Sequence, residues 1–167
     1  MTRYLCLDNA LAVTGWAIFD DNILFDYGIF KTNATDLIDK RLCKIVDFLD
    51  TMHNDFQFDM LFFEDCQQQS NRNVQTYHKL SMVKAIILYW CGASGIPYIC
   101  SSPSHWRSVL KKDDAALQWG RNRASQKAAA KQFVKDHFNV TASEDECDAI
   151  CLGYAGILDK ESKKTAW

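Results

Sequence analysis

No stretch of this chain is apolar for long enough to cross a membrane, because a spanning helix needs roughly 20 consecutive apolar residues. The first four residues lead directly into a β-prone run, which is not the pattern of a secretory signal peptide. Both observations disfavour a membrane-spanning or exported protein. The sequence therefore predicts a cytoplasmic protein with no membrane partner.

The chain also lacks any Cys-x-x-Cys pair, although it has seven cysteines. Most of them lie inside apolar runs, as Cys6, Cys91 and Cys100 do. Buried, reduced thiols in a reducing compartment explain this pattern better than a disulfide framework. Cys147 and Cys151 are four residues apart, but no neighbouring His or Cys completes a zinc-binding set.

There is no overall excess of positive charge, and the formal net charge is −2. The charge is nevertheless segregated along the chain. Residues 105–139 contain eight basic and three acidic side chains, so this segment carries +5 and the rest of the chain carries −7. A basic region of this kind favours a nucleic-acid partner in spite of the acidic mean.

Length and composition fit one folded domain. The 167 residues are 48% hydrophobic and 24% charged, which is long enough to bury a core and too apolar for a disordered chain. No internal repeat, low-complexity segment or linker interrupts the sequence. We predict a single domain over residues 1–158, followed by a frayed tail over residues 159–167.

The hydrophobic periodicity predicts a mixed α/β fold. Strands are predicted over residues 3–8, 12–19, 22–31, 60–64 and 96–100. Helices are predicted over residues 38–52, 73–92, 103–110, 122–137 and 145–158. Asn33 or Thr35 is the expected cap of the first helix. This order of elements is that of a ribonuclease H-like fold, with a five-stranded mixed sheet in the order 3-2-1-4-5 flanked by helices.

Three segments place acidic side chains where this topology would bring them together. Asp8 ends the first strand and Glu64 ends the fourth, and the predicted sheet order makes these strands neighbours. Asp145 and Asp148 are three residues apart on the last helix and share one face. Carboxylate oxygens suit Mg²⁺ and Mn²⁺, and two such ions can act on a phosphodiester. We therefore predict these four residues as catalytic groups and metal ligands.

Acids at such positions also have ordinary structural explanations. A single acid at a strand end is more often a turn or cap residue than a ligand. The acidic run over residues 144–146 can simply complement a helix dipole. Asp65, Glu144 and Glu146 could also take the roles assigned to their neighbours. The prediction depends on the agreement of three separate segments with one topology.

The motifs around these acids resemble those of the RuvC family of Holliday-junction resolvases. Leu-Asp at 7–8 followed by Val-Thr-Gly-Trp-Ala at 13–17 is similar to the family's first motif. Phe-Phe-Glu at 62–64 resembles the second motif, and Asp-Glu-Cys-Asp-Ala at 145–149 resembles the closing motif. The resemblance covers nearly the whole chain.

This resemblance implies a homodimeric endodeoxyribonuclease of the crossover-junction type. Such an enzyme would be selective for four-way junctions and other branched DNA, and would depend on Mg²⁺ or Mn²⁺ with two ions per active site. Its products would carry 5′-phosphate and 3′-hydroxyl ends. The implied catalytic residues are Asp8, Glu64, Asp145 and Asp148.

The sequence departs from the family pattern in three places. Asn9-Ala10 stands where the family usually has Pro-Gly. Gln67, in a polar run, stands where bacterial members carry an aromatic wedge, and the loop over 111–120 is longer than usual. These features are closer to divergent viral, phage-type members than to the housekeeping enzyme. A host cytoplasm would then be the expected location.

The basic region supplies the candidate DNA contacts. Four of its residues, at positions 123, 127, 131 and 135, form one stripe on a helix, suited to backbone phosphates. A solvated helix face is the alternative. One basic residue near 123–127 is also expected to stabilise the transition state. The predicted DNA-binding residues are Arg107, Lys111, Lys112, Trp119, Arg121, Arg123, Lys127, Lys131 and Lys135. Trp106 is as readily a core residue as one that stacks on bases.

The helix over 73–92 is apolar on most faces and is the predicted homodimer interface, with a deeply buried core helix as the alternative. A two-fold dimer would present two identical sites to the two symmetric strands of a four-way junction. An RNA-processing or RNA–DNA hybrid nuclease on the same fold remains an alternative, as does a non-catalytic module that binds branched DNA. A sugar-kinase-type phosphotransferase is disfavoured because residues 9–12 contain no glycine for a phosphate turn.

Overall fold

The described part of this computed structural model comprises residues 1–66 and 73–164, with side chains described to residue 161, and it contains five strands and five helices. The strands are β1 (Arg3–Asp8), β2 (Val13–Asp20), β3 (Ile23–Lys31), β4 (Met60–Glu64) and β5 (Tyr98–Ser101). The helices are α1 (Ile38–Phe56), α2 (Val74–Ser94), α3 (Pro103–Asp113), α4 (Arg123–Phe138) and α5 (Glu144–Lys164).

The strands form one mixed sheet in the order β3-β2-β1-β4-β5, which confirms the predicted topology. β1, β2 and β3 are an antiparallel meander, whereas β4 runs parallel to β1 and β5 runs parallel to β4. Leu7 pairs with Phe63 across the β1–β4 ladder. The next residues, Asp8 and Glu64, therefore leave the sheet side by side at its carboxyl edge.

Side chains on alternate positions of β1 enter two separate cores, as the period of two along a strand requires. Leu5 and Leu7 are fully buried in one core, which α1 and α2 cover. Tyr4 and Cys6 point the other way, into the core beneath α3, α4 and α5. The sheet is thus covered on both faces, and α5 lies directly over its central strands.

The structure corrects several predicted boundaries. Neither Asn33 nor Thr35 caps α1, because Asn33 instead accepts hydrogen bonds from Thr35 in the preceding turn, and Leu37 occupies the cap position without a side-chain bond. The last helix continues past 158 to Lys164. Two long-range contacts hold this extension: Lys160 donates to the Tyr4 hydroxyl at 3.3 Å, and Asp159 pairs with His105 at 3.2 Å.

Gln67 and the polar run around it lie outside the described residues, as do residues 165–167 of the predicted tail. None of the helices formed by the described residues is long and apolar enough to span a membrane. All seven cysteines are free, and Cys6, Cys91, Cys147 and Cys151 are buried. Their burial within apolar elements is what the sequence predicted.

Candidate active site

Asp8 stands at the centre of the candidate site, at the end of β1. The surrounding protein removes much of the water around its carboxylate, although the residue as a whole keeps some exposure. This burial is the main cause of a pKa well above the usual aspartate range, and the negative charges of Glu64, Asp148 and Asp145 raise it further. The positive charge of Lys127 acts in the opposite direction. The fold thus brings all four predicted carboxylates into one electrostatic neighbourhood.

Glu64 is held at both its main chain and its side chain. Its amide N–H donates to the Asn9 side-chain oxygen at 2.9 Å, which ties the end of β4 to the residue that follows β1. One of its carboxylate oxygens accepts a hydrogen bond from the Trp106 indole nitrogen at 3.0 Å. The two neighbouring strand ends and the first turn of α3 are therefore joined at this residue.

Asp145 and Asp148 reach the site because α5 begins against β2. A capping box starts the helix, with Ser143 N–H donating to Glu146 at 2.6 Å and Glu146 N–H reaching the Ser143 hydroxyl at 3.4 Å. Gly15 permits this close approach, since a Cβ atom there would lie 1.9 Å from the Asp145 carbonyl oxygen. In the sheet, Gly15 is directly opposite Asp8. The predicted first and last motifs thus touch through a glycine.

Two cations face the carboxylates. Burial raises the pKa of Asp148, whereas the charges of Lys127 and Arg107 lower it. Lys127 is held at 2.5 Å by Glu144, which lies just before Asp145 on α5. This pairing lowers the pKa of Glu144. The guanidinium of Arg107 lies 4.7 Å from the centre of the Trp106 ring. Its Nε is buried and makes no hydrogen bond within the described part of the chain.

The donor set fits Mg²⁺ or Mn²⁺ in its chemistry. It consists of carboxylate oxygens. Burial, and after it the negative charges of the neighbouring acids, raises the pKa of Asp8, and a bound divalent cation would offset both effects. Within residues 1–66 and 73–161, however, no three His, Cys, Asp or Glu side chains are arranged closely enough to hold an ion as they stand. The four acids are close enough to influence one another electrostatically. Their carboxylate oxygens would have to move closer together to coordinate one ion.

Two of the predicted DNA-binding residues, Trp119 and Lys111, make hydrogen bonds within the protein. The Trp119 indole donates to the Arg107 carbonyl oxygen at 2.9 Å and packs edge-on against Trp106, with ring centres 5.3 Å apart. Lys111 donates to the carbonyl oxygens of Ala115 and Leu117, which closes its own loop. Trp106 is a core residue, as one of the two interpretations of the sequence held.

The remaining predicted contacts lie at or near the surface. Lys127 is mostly covered and faces the carboxylates, whereas Lys131 is exposed and lies 3.7 Å from Glu144. The other exposed cations of the set are Lys112, Arg121, Arg123 and Lys135. Their contact with DNA stays a prediction. Nothing in the spacing of the sequence marked Trp106 as a partner of the site. Glu144 was named only as an alternative to its neighbours, and Asn9 was visible as a departure from the family pattern.

The chain has relatives of known identity. No protein-family model matches it. The crossover junction endodeoxyribonuclease RuvC of Gloeobacter violaceus is 23% identical over 159 residues, which cover 92% of this chain and 87% of that protein. Thermus thermophilus RuvC in complex with a Holliday junction substrate has a TM-score of 0.77 at 13% identity, over 97% of this chain and 96% of that one.

The yeast mitochondrial Holliday junction resolvase has a TM-score of 0.63 at 14% identity, over 99% of this chain and 81% of that one. These similarities confirm the ribonuclease H-like topology that the order of elements predicted. The relatives are bacterial and mitochondrial, so a phage-type origin stays a prediction. With this sheet topology and these similarities, the chain has the fold of the RuvC resolvases and is similar to RuvC in sequence over most of its length.

Proposed function

We propose that this protein is a metal-dependent endonuclease that cleaves four-way DNA junctions and other branched DNA. The observation that carries the proposal is the placement of the ends of β1 and β4 beside the start of α5, which gathers Asp8, Glu64, Asp145 and Asp148 at one edge of the sheet. Burial and the charges of the other three acids raise the pKa of Asp8 there. Like charges gathered at a sheet edge destabilise a fold unless a cation offsets them. Perturbed carboxylates of this kind are a mark of functional sites.

Asp8, Glu64, Asp145 and Asp148 would hold two Mg²⁺ or Mn²⁺ ions, whose preference for oxygen ligands they match. The bound ions would supply the Lewis acidity that activates the attacking water and stabilises the leaving oxygen. Hydrolysis would leave 5′-phosphate and 3′-hydroxyl ends.

The positively charged side chains of the protein would stabilise the transition state and bind the DNA. Lys127 and Arg107 place positive charge beside Asp8 and Asp148, where the charge of a reacting phosphate would build up. Further out, the exposed cations would bind backbone phosphates and make the affinity depend on salt. A relative of the same fold has been solved with a Holliday junction, which supports a junction as the substrate.

The proposed active form is a homodimer joined through α2. One face of this helix packs on the sheet with Val83, Ile87 and Trp90 buried. The opposite face leaves the apolar side chains of Met82 and Tyr89 41% and 69% exposed, and a partner subunit could cover them. A two-fold axis there would give two active sites for the two symmetric strands of a junction.

The test is cleavage of a labelled immobile four-way junction in Mg²⁺ or Mn²⁺, beside duplex and flap DNA. We expect paired symmetric nicks on the junction that disappear in Asp8→Asn. Asp26→Asn is the matched control, because Asp26 is an exposed acid on β3, away from the site, and this variant should cut normally.

Other outcomes would replace the proposal. Preferential cleavage of RNA–DNA hybrids would identify an RNA-processing enzyme on the same fold. Tight junction binding without metal-dependent cleavage would identify a binding module. Equal cleavage of every branched substrate would leave the nuclease but remove its selectivity for four-way junctions.

A further inference from the structure

The indole nitrogen of Trp106 donates its hydrogen bond to the Glu64 carboxylate at 3.0 Å. Trp106 is only 1% exposed, so its N–H cannot turn to water and must have a partner inside the protein. A carboxylate is a strong acceptor, because a charged partner roughly doubles the strength of such a bond. This contact lies on one of the four acids of the candidate site.

The start of α3 fixes where this indole lies. Ser102 caps the helix by accepting from the His105 N–H, and Pro103 occupies the first position. The residue before the cap, Ser101, pairs directly with Glu64 across the β4–β5 ladder. The first turn of α3 therefore rises beside Glu64, and Trp106 is in that turn.

Neighbouring groups keep the indole in this orientation. The Trp119 ring meets it edge-on, with an angle of 87° between the ring planes, and the Arg107 guanidinium lies over it at 4.7 Å. The Trp119 N–H donates to the Arg107 carbonyl oxygen, so these three side chains form one packed unit. Rotation of Trp106 away from Glu64 would break this packing.

The main chain of Glu64 is fixed independently of its side chain. Asn9 is 5% exposed and accepts the Glu64 N–H through its side-chain oxygen. Between Asn9 and Trp106, both the backbone and the carboxylate of Glu64 have defined partners. A glutamate tied in this way loses less rotamer freedom when it binds an ion than one that moves freely.

We propose that Trp106 is a positioning residue that orients the Glu64 carboxylate for metal binding. This inference rests on the proposed function, in which Glu64 is a metal ligand. Partners of metal-ligating groups typically contribute roughly 10- to 100-fold to metal affinity or activity. Trp106 itself touches neither DNA nor metal in this proposal and acts only through Glu64.

The first test measures Mn²⁺ binding to the DNA-free protein directly. The electron paramagnetic resonance signal of free Mn²⁺ reports how much of the ion remains unbound. Trp106→Phe removes the donor and keeps an aromatic ring, and we expect roughly tenfold weaker Mn²⁺ binding. Trp90→Phe is the matched control. Trp90 is also a buried indole, and it donates to the Asp50 carboxylate at 2.7 Å, away from the site. This control should bind Mn²⁺ as wild type does.

A second measurement avoids any change at the buried indole. In protein labelled with ¹⁵N-tryptophan, Glu64→Gln should shift the indole N–H resonance of Trp106 and leave that of Trp90 in place. Mn²⁺ added to the wild-type protein should broaden the Trp106 resonance more strongly than the Trp90 resonance. These readouts keep the proposal testable if Trp106→Phe fails to fold.

Wild-type Mn²⁺ affinity in a folded Trp106→Phe variant would overturn the proposal. So would a Trp106 resonance that does not respond to Glu64→Gln, or a wild-type protein that binds no Mn²⁺. Failure of the proposed nuclease function has a different signature. Mn²⁺ binding would then still depend on Trp106, while no branched DNA would be cut.

Discussion

Uncharged residues fix the geometry of the charged ones in this protein. Asn9 ties the end of β4 to the end of β1, and Gly15 lets the start of α5 rest against β2. Neither residue carries a charge or transfers a proton. The positions of Glu64 and Asp145 nevertheless depend on them, so changes at these neutral residues should affect the site.

Gly15→Ala should damage both stability and activity. The new Cβ would lie 1.9 Å from the Asp145 carbonyl oxygen, so α5 would have to move away from β2. Overpacking of this kind typically costs about 1–3 kcal/mol, and the shift would also carry Asp145 out of place. Urea unfolding and junction cleavage measure the two effects.

Gly92→Ala is the stability control for this prediction. A Cβ atom there would meet nothing within 4 Å, and an alanine in a helix is about 1 kcal/mol more favourable than glycine. We expect its free energy of unfolding to stay constant or rise. A Gly15→Ala protein as stable as wild type would show that α5 can shift without cost.

The Arg3–Asp20 pair predicts how stability depends on pH. The hydrogen bond from Arg3 is the main cause of a lowered pKa for Asp20. A carboxyl group with a lower pKa in the folded state binds protons less readily there than in the unfolded chain. Its contribution to stability is therefore complete above the unfolded-state pKa and is lost as the pH falls through the folded-state pKa.

Asp20→Asn should remove this component. The stability difference between wild type and the variant should be largest near neutral pH and should shrink as the solution becomes strongly acidic. Denaturant unfolding over a pH series measures it. Introducing Arg3→Gln into both proteins should reduce this difference in stability, because it removes the hydrogen-bond partner of Asp20. A constant difference at all pH values would contradict the assignment.

At the scale of elements, the site forms where α4 and α5 meet the carboxyl edge of the sheet. The α4 stripe predicted from its four-residue repeat divides into two parts. Lys127 and the exposed Lys131 lie beside Glu144 at the start of α5. Arg123 and Lys135, which are also exposed, make up the second part. An acid of the chain therefore occupies two of the lysines that a phosphate would use.

Glu144→Gln should strengthen DNA binding. Without the carboxylate, Lys127 and Lys131 would be available to backbone phosphates, and we expect severalfold tighter binding at low salt. The plot of log affinity against log salt should become steeper by about one for each additional phosphate that the protein neutralises. Fluorescence anisotropy with a labelled junction over a salt series measures both quantities.

Asp136→Asn is the charge-matched control for this effect. Asp136 is an exposed acid of α4 that accepts from Gln132, and its replacement removes the same unit of negative charge. Similarly tightened binding in the two variants would show that net charge alone explains the effect. In that case the pairing of Glu144 with Lys127 would have no particular role.

At the scale of the whole molecule, a sheet covered on both faces still leaves apolar surface on α2. Tyr89→Asp should place a charge in the proposed interface and convert the dimer to a monomer, as sedimentation velocity would show. Ile23→Asp is the control, because Ile23 is 68% exposed on β3 at the far edge of the sheet. It should leave the oligomeric state unchanged.

The dimer prediction has a functional consequence as well. A monomer has only one active site. The rate of paired nicking should therefore fall more in Tyr89→Asp than the rate of single nicking. Native gels of partly cut junctions distinguish the two. A Tyr89→Asp protein that sediments as a dimer would rule out this face of α2 as the interface.

The sequence by itself determined the sheet and the acids. Period-two runs and amphipathic helices follow from local side-chain patterns, and the order of these elements leaves few possible topologies. The adjacency of Asp8 and Glu64 followed from that order. In the structure the charges of Glu64, Asp145 and Asp148 act on Asp8 and raise its pKa, in addition to burial. The catalytic role of the four acids stays a prediction.

Only the tertiary structure decided how these acids are held. Trp106 and Glu64 are 42 residues apart in the chain, and Asn9 and Glu64 are 55 apart, so no local pattern encodes either hydrogen bond. The same reason explains why α5 continues to Lys164, since Tyr4 and His105 stabilise its last turns from distant segments. Periodicity reports which face of an element is buried, whereas the partner on that face depends on how distant elements pack.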